Sequence, residues 1–116
     1  HIQQRNELVD RMDYLGQGYA VTASFTTNIV DNITASQAAD EMLKVKNVEA
    51  SFVIYQRDKK TVGVSARSLG EINVQRIMEK MGGGGHLSNA ATQIKNHTIA
   101  DVSQQLRKII HDLQEE

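Results

Sequence analysis

Between positions 18 and 26 the chain alternates. Tyr19, Val21, Ala23 and Phe25 fall on one side, and Ala20, Thr22 and Ser24 on the other. A period of two predicts a strand with one well-buried face. The period then lengthens. Ala35, Ala38, Ala39, Met42 and Leu43 follow the i, i+3, i+4, i+7, i+8 rule, which predicts a helix over 34–45. Thr34 with Gln37 fits a capping box, since hydroxyl and amide can each satisfy an orphan backbone N–H. Phe52, Val53, Ile54 and Tyr55 form a β-branched and aromatic run, which predicts a central strand over 48–57. Asp58-Lys59-Lys60 is a polar turn, and 61–67 is a second strand that closes a hairpin. On it Val62, Val64 and Ala66 share one face, and Thr61, Gly63, Ser65 and Arg67 share the other.

Asn73 can cap a helix carrying Val74, Ile77, Met78 and Met81, which stops at Gly82. A strand is predicted around 91–95. Thr98 caps a last helix with Ile99, Val102, Leu106, Ile109, Ile110 and Leu113 on its inner side. Residues 2–15 form a weaker helical pattern, with a narrow stripe of Leu8, Val9, Met12 and Leu15. That stripe fits a surface helix, or a linker helix whose partner lies upstream. Gly16 and Gly18 then punctuate the chain. The fold class is α/β (α+β): a mixed sheet of about four to five strands flanked by helices, in a single domain.

Composition narrows the function classes. Of 116 residues, Lys and Arg number 13 and Asp and Glu 14. A balanced charge argues against a chain held on duplex nucleic acid by bulk electrostatics. Cysteine is absent, so there is no disulfide framework, thiolate nucleophile or Cys-based zinc site. No apolar run approaches the ~20 residues needed to span a bilayer, so no membrane contact is expected of these residues. Aromatics are 4%, too few for a broad base-stacking platform. The chain opens on His1, which reads as part of a longer protein.

Gly82-Gly83-Gly84-Gly85-His86 is the feature that calls for chemistry. A helix end needs one Gly, and each further one costs backbone entropy on ordering. A usual reason for such a run is close approach of a ligand to the backbone, with N–H groups turned toward an anion. Histidine adds a donor that can carry charge near neutral pH. The run is not a Walker A loop, since no Lys-Ser or Lys-Thr follows. Nor is it a Rossmann fingerprint, since it follows a helix. A flexible turn is the plainer alternative. Ser65-Ala66-Arg67-Ser68 is the second candidate, because an Arg fork with nearby hydroxyls suits a phosphate. An Arg at a strand end also suits a surface ion pair. The acids are scattered, and no Asp-x-Asp or His-x-x-x-His pattern occurs, so neither a metal centre nor a nucleophile–base pair is legible.

Val64-Ser65-Ala66-Arg67-Ser68, Ile72-Asn73-Val74 and Met81-Gly82-Gly83-Gly84-Gly85-His86-Leu87-Ser88-Asn89-Ala90-Ala91 together resemble the C-terminal substrate-binding domain of DHH-family phosphoesterases. The likeness covers residues 16–114. It is nearest to the membrane-anchored cyclic di-AMP phosphodiesterases of Gram-positive bacteria, the GdpP type. The continuation Asn89-Ala90-Ala91-Thr92-Gln93 favours that type over the exonuclease and oligoribonuclease branches. The resemblance implies an upstream Asp-His-His catalytic domain that binds Mn²⁺, reached through residues 1–15 as a linker helix. Residues 16–116 would then be the substrate-binding domain, with no catalytic, metal or cofactor residue of its own. It implies that Gly82, Gly83, Gly84, Gly85, His86, Arg67 and Ser68 hold the phosphates and nucleotide of a cyclic or linear dinucleotide, with Ser65 and Asn89 as weaker candidates. It further implies a cytoplasmic position on a parent anchored in the membrane, and an isolated chain without activity. Two other readings stay open. One is an RNA or short-oligonucleotide module like the oligoribonuclease relatives of this domain. The other is a dimerisation domain, forming a homodimer, whose glycines are only a hinge.

Overall fold

The computed structural model describes residues 1–116. In chain order the elements are α1 (Ile2–Asp10), β1 (Asp13–Gly16), β2 (Tyr19–Ala23), α2 (Asn32–Met42), β3 (Ala50–Asp58), β4 (Thr61–Ser68), α3 (Val74–Lys80), β5 (Gly84–His86), β6 (Asn89–Lys95) and α4 (Ile99–Gln114). All six strands join one sheet in the order β1-β2-β3-β4-β6-β5. Only β2 and β3 run parallel, joined through α2; the other neighbours are antiparallel. The α/β class and the mixed sheet are as expected. The sheet is wider than the expected four to five strands because β1 and β5 are short and carry no alternating apolar signal.

The first helix is shorter than its pattern. It ends at Asp10, and residues 13–15, expected to be helical, lie in β1. Gly16, Gln17 and Gly18 all have positive φ (91°, 53° and 91°). Three such residues in succession turn β1 tightly back onto β2, and two of the three are Gly, for which that backbone costs little.

The core has two layers, one on each side of the sheet. Val21, Phe52, Ile54, Val62, Val64 and Ala66 face α3 and α4, packing on Ile77, Met78, Val102, Leu106 and Ile110. Ala20, Val53 and Tyr55 face α1 and α2, packing on Leu8, Ala35, Ala38, Ala39 and Met42. The helical stripes read from the sequence are therefore the buried ones in α2 and α4. The strand over 18–26 departs from expectation, because both its faces are covered. Thr22 and Ser24 are buried beside Ala20, and the Thr22 hydroxyl donates to the Leu8 carbonyl at 2.6 Å. Small and hydroxylated residues read as polar, yet they are what lets α1 and α2 sit close to β2. Phe25 lies beyond the strand and is exposed.

The capping of α2 also differs. Its N-cap is Asp31, whose carboxylate accepts from the Thr34 N–H at 2.7 Å. Thr34 lies inside the first turn and is buried. The Thr34 backbone N–H holds the Asp31 carboxyl below its usual range. In α4 Thr98 caps as expected, and Asp101 completes a capping box.

Candidate functional site

Three of the predicted residues meet in one row. Arg67 on β4 pairs with Asn89 on β6, and Asn89 pairs with His86 on β5. Cross-strand partners share a face, and neighbouring strands lie ~4.8 Å apart, so the row is about 10 Å wide. The next row on the same face is Ser65–Ala91–Gly84, and the one after is Tyr55–Gly63–Gln93. Helix α2 packs over β3 and β4 on this side. Asn89, Ala91 and Gln93 are exposed, so β6 and β5 present an open polar sheet face beside α2.

Arg67 sits at the boundary between the covered and open parts. Its Nη1 donates to the Ala66 carbonyl at 2.9 Å and to the Ser65 hydroxyl at 3.4 Å. Its Nε lies 3.3 Å from Asp40 Oδ1 on α2. Nη2 has no partner in the chain. The side chain is 16% exposed against 61% for Asp40, so the guanidinium is held at Nε and Nη1 and keeps Nη2 as its unpartnered donor. An Arg held this way offers Nη2 as a fixed, charged donor to an anion. The ion pair foreseen as the plain reading of this Arg exists, and it orients the group.

The other candidates divide. Ser65 is buried and its hydroxyl lies 3.3 Å from that of Ser36; it is placed to support Arg67. Ser68 follows Arg67 and so points to the opposite face. Its Oγ accepts from the Gly70 N–H at 3.2 Å, and the structure does not bring it into the row. His86 and Asn89 are exposed, and their side chains make no hydrogen bond within the chain.

The four glycines have separate causes. Gly82 has φ +84°. Its N–H bonds to the Glu79 carbonyl at 3.2 Å, and the Gly83 N–H bonds to the Met78 carbonyl at 2.8 Å. That is a Schellman closure of α3. The expectation that glycine N–H groups turn to an anion therefore fails for Gly82 and Gly83, whose N–H groups are already engaged. A Cβ on Gly83 would lie 2.1 Å from the Ala91 carbonyl oxygen, and one on Gly85 2.5 Å from that of Asn89. Both are glycine because the chain entering and forming β5 lies tight against the β6 backbone that it pairs with. Gly84 is the exception: a Cβ there meets nothing within 4 Å, and its φ is ordinary. Nothing inside the chain requires glycine at 84, and it lies beside Ala91 on the open face.

A groove of about 290 Å³ lies apart from these rows, lined among others by Tyr19, Glu71, Arg76, Lys80 and Glu116. Burial and then Glu116 raise the Tyr19 phenol above its usual value. The groove mixes both charges and holds none of the glycine or Arg-Ser residues, so it is not the candidate site. No group of three or more His, Cys, Asp or Glu side chains is placed to hold a metal ion, so the residues present do not fit the implied Mn²⁺. No helix is long and apolar enough to cross a membrane.

The model of the DHHA1 domain matches residues 16–116. The chain belongs to the DHHA1 domain family. This DHHA1 domain is 52% identical over 103 residues to the cyclic-di-AMP phosphodiesterase PdeA of Listeria monocytogenes, covering 89% of the chain and 16% of that protein. It is 46% identical over 109 residues to the cyclic-di-AMP phosphodiesterase GdpP of Geobacillus thermodenitrificans, covering 94% of the chain and 17% of that protein. The chain thus spans about a sixth of the length of these relatives. Its fold matches an exopolyphosphatase-related protein from Bacteroides fragilis at TM-score 0.77 and 18% identity, over 99% of this chain and 36% of that one.

Proposed function

We propose that this DHHA1 domain holds the substrate of a cyclic-di-AMP phosphodiesterase, on the open sheet face beside α2. The observation that carries the reading is the Arg67–Asn89–His86 row, three anion-compatible side chains on three adjacent strands. High identity to two proteins named as cyclic-di-AMP phosphodiesterases supports the substrate class. In this reading Arg67 offers its unpartnered Nη2 to a phosphate, His86 and Asn89 donate from the other side, and Gly84 with Ala91 leaves room for the chain of the ligand. Fixed donors aimed at phosphate oxygens stabilise charge without reorganising during the reaction. Ser65 and Asp40 act through Arg67. Ser68 supports the turn behind it.

Hydrolysis belongs, in this reading, to an Asp-His-His domain upstream in the same protein. The Mn²⁺ and any membrane anchor belong to that upstream part as well, and no step on this chain runs through the metal. An open face, in place of an enclosed cavity, suits a site completed by that second domain. Weak binding by the isolated chain follows, because one side of the phosphates would stay in water. The test is His86→Ala in the full-length protein. Turnover of cyclic di-AMP should fall at least tenfold while the circular dichroism spectrum stays unchanged, since His86 is exposed. Unchanged turnover would remove His86, and with it the row, from the account.

A further inference from the structure

One buried hydroxyl on the covered side serves an exposed amide on the open face. Tyr55 is 2% exposed, and its ring lies across Gly63, its cross-strand partner. A Cβ at Gly63 would come within 2.5 Å of the ring Cζ. Because glycine leaves that space empty, the phenol spans β4 and reaches the side chain of β6. Its O–H donates to Asn32 Oδ1 on α2. Its oxygen accepts from Gln93 Nε2 at 3.4 Å. With the phenol proton given to Asn32, the only role left for Tyr55 toward Gln93 is acceptor, which fixes which way the carboxamide turns.

The exposed amide is left with a free carbonyl oxygen and a second N–H, side by side. An acceptor next to a donor is the complement of the N6/N7 edge of adenine, which offers a donor and an acceptor. Guanine offers two acceptors on the same edge, and one of them would face the Gln93 oxygen. Gln93 stands on the same face of β6 as Asn89, four residues along, or about 14 Å at 3.4 Å per residue. Between them the face carries only Ala91 and Gly84, the smallest residues available. A phosphate on the Arg67–Asn89–His86 row therefore has an unobstructed floor leading to a prearranged amide.

We propose that Gln93, oriented by Tyr55 across Gly63, selects adenine in the bound dinucleotide by pairing with its N6/N7 edge. The inference rests on the phosphodiester-binding reading above. Gln93 is the specificity residue; Tyr55 and Asn32 are positioning residues.

The experiment uses the full-length protein and three substrates: cyclic di-AMP, cyclic di-GMP, and cyclic di-AMP built with 7-deazaadenine, which lacks the N7 acceptor. Gln93→Leu should lower kcat/KM for cyclic di-AMP about 5- to 100-fold, the size of one bidentate base contact. The loss should fall on KM, and kcat/KM for cyclic di-GMP should not drop with it. The wild type should discriminate against the 7-deaza substrate, and Gln93→Leu should not. Tyr55→Phe should give a smaller loss of the same kind. An equal drop for adenine and guanine substrates, or discrimination against 7-deazaadenine that survives Gln93→Leu, would overturn the assignment. Arg67→Ala separates this outcome from failure of the broader reading. If it lowers turnover of every dinucleotide while Gln93→Leu leaves the base ratio intact, base selection by Gln93 alone is wrong. If Arg67→Ala changes nothing, both are wrong.

Discussion

Asp40 on α2 and Arg67 on β4 meet at the rim of the open sheet face, Oδ1 to Nε at 3.3 Å. The pair joins the helix layer to the strand that carries the proposed phosphate ligand. Asp40 is largely solvated, so the pair adds little to folding; exposed pairs contribute roughly 0–1 kcal/mol. Its effect is orientation. Asp40 holds Nε, Ser65 and the Ala66 carbonyl hold Nη1, and Nη2 is left without a partner.

Loss of that donor should be felt in turnover. Arg67→Ala should lower kcat/KM of the full-length protein on cyclic di-AMP about 10- to 100-fold, the range for charge-assisted hydrogen bonds. Arg67→Lys should recover little of the loss. A single ammonium cannot reach Asp40 and the Ala66 carbonyl and still hold a third donor at the position of Nη2. Steady-state kinetics on the three forms decide it; a Lys variant with wild-type activity would mean that only charge matters.

The glycine run yields a sharper contrast. Gly83→Ala and Gly85→Ala push a methyl into the β6 backbone, where the opposing atoms cannot rotate away. Each should destabilise the chain by roughly 1–3 kcal/mol in urea unfolding. Gly85→Ala is strained further by its φ of +143°. Gly84→Ala should be neutral or stabilising by up to about 1 kcal/mol, since it only removes freedom from the unfolded chain. It should nonetheless lower turnover in the full-length protein. A Gly84→Ala protein that is stable and fully active would show that no ligand approaches the face there.

Much of this fold is legible in the sequence, and the misses have physical causes. The stripes of α2 and α4, the β3–β4 hairpin and the caps Asn73 and Thr98 each repeat one signal several times over. β1 and β5 do not. Each has three or four residues, and β5 is mostly glycine, so they become strands only because β2 and β6 offer paired edges. The sequence leaves the α2 cap ambiguous, because Asp31, Thr34 and Gln37 are spaced alike, and burial of Thr34 decides for Asp31. At the site, Arg67, Asn89 and His86 could be named from motifs, but their alignment in one row depends on the register of β4, β6 and β5. Gln93 has no role readable from the sequence, because its partner Tyr55 has the pattern of an ordinary core residue and only the register places Gly63 beneath it.

Acid should weaken the α2 cap in a defined direction. The Asp31 carboxyl is held below its usual value by the Thr34 N–H. A lowered folded-state pKa means stability that is present above the unfolded value near 4 and is lost as pH falls through the folded value. Asp31→Ala should therefore cost about 1 kcal/mol at pH 7, the usual loss for an N-cap. The difference between mutant and parent should shrink below about pH 4. Urea unfolding of both at pH 7 and pH 3 checks it; a difference that does not change with pH would mean the capping contact does not depend on the carboxylate charge.

In the proposed function the open face of β6 and β5 receives the dinucleotide. It is tested most directly by an NMR titration of the 116-residue chain with cyclic di-AMP and its linear dinucleotide, up to millimolar concentration. Shifts should be confined to the Arg67 side chain and to Gly84, His86, Asn89, Ala91 and Gln93, with no turnover of the nucleotide. Shifts centred instead on Tyr19, Arg76 and Lys80, or none at the open face even when the titration is repeated on the full-length protein, would contradict it.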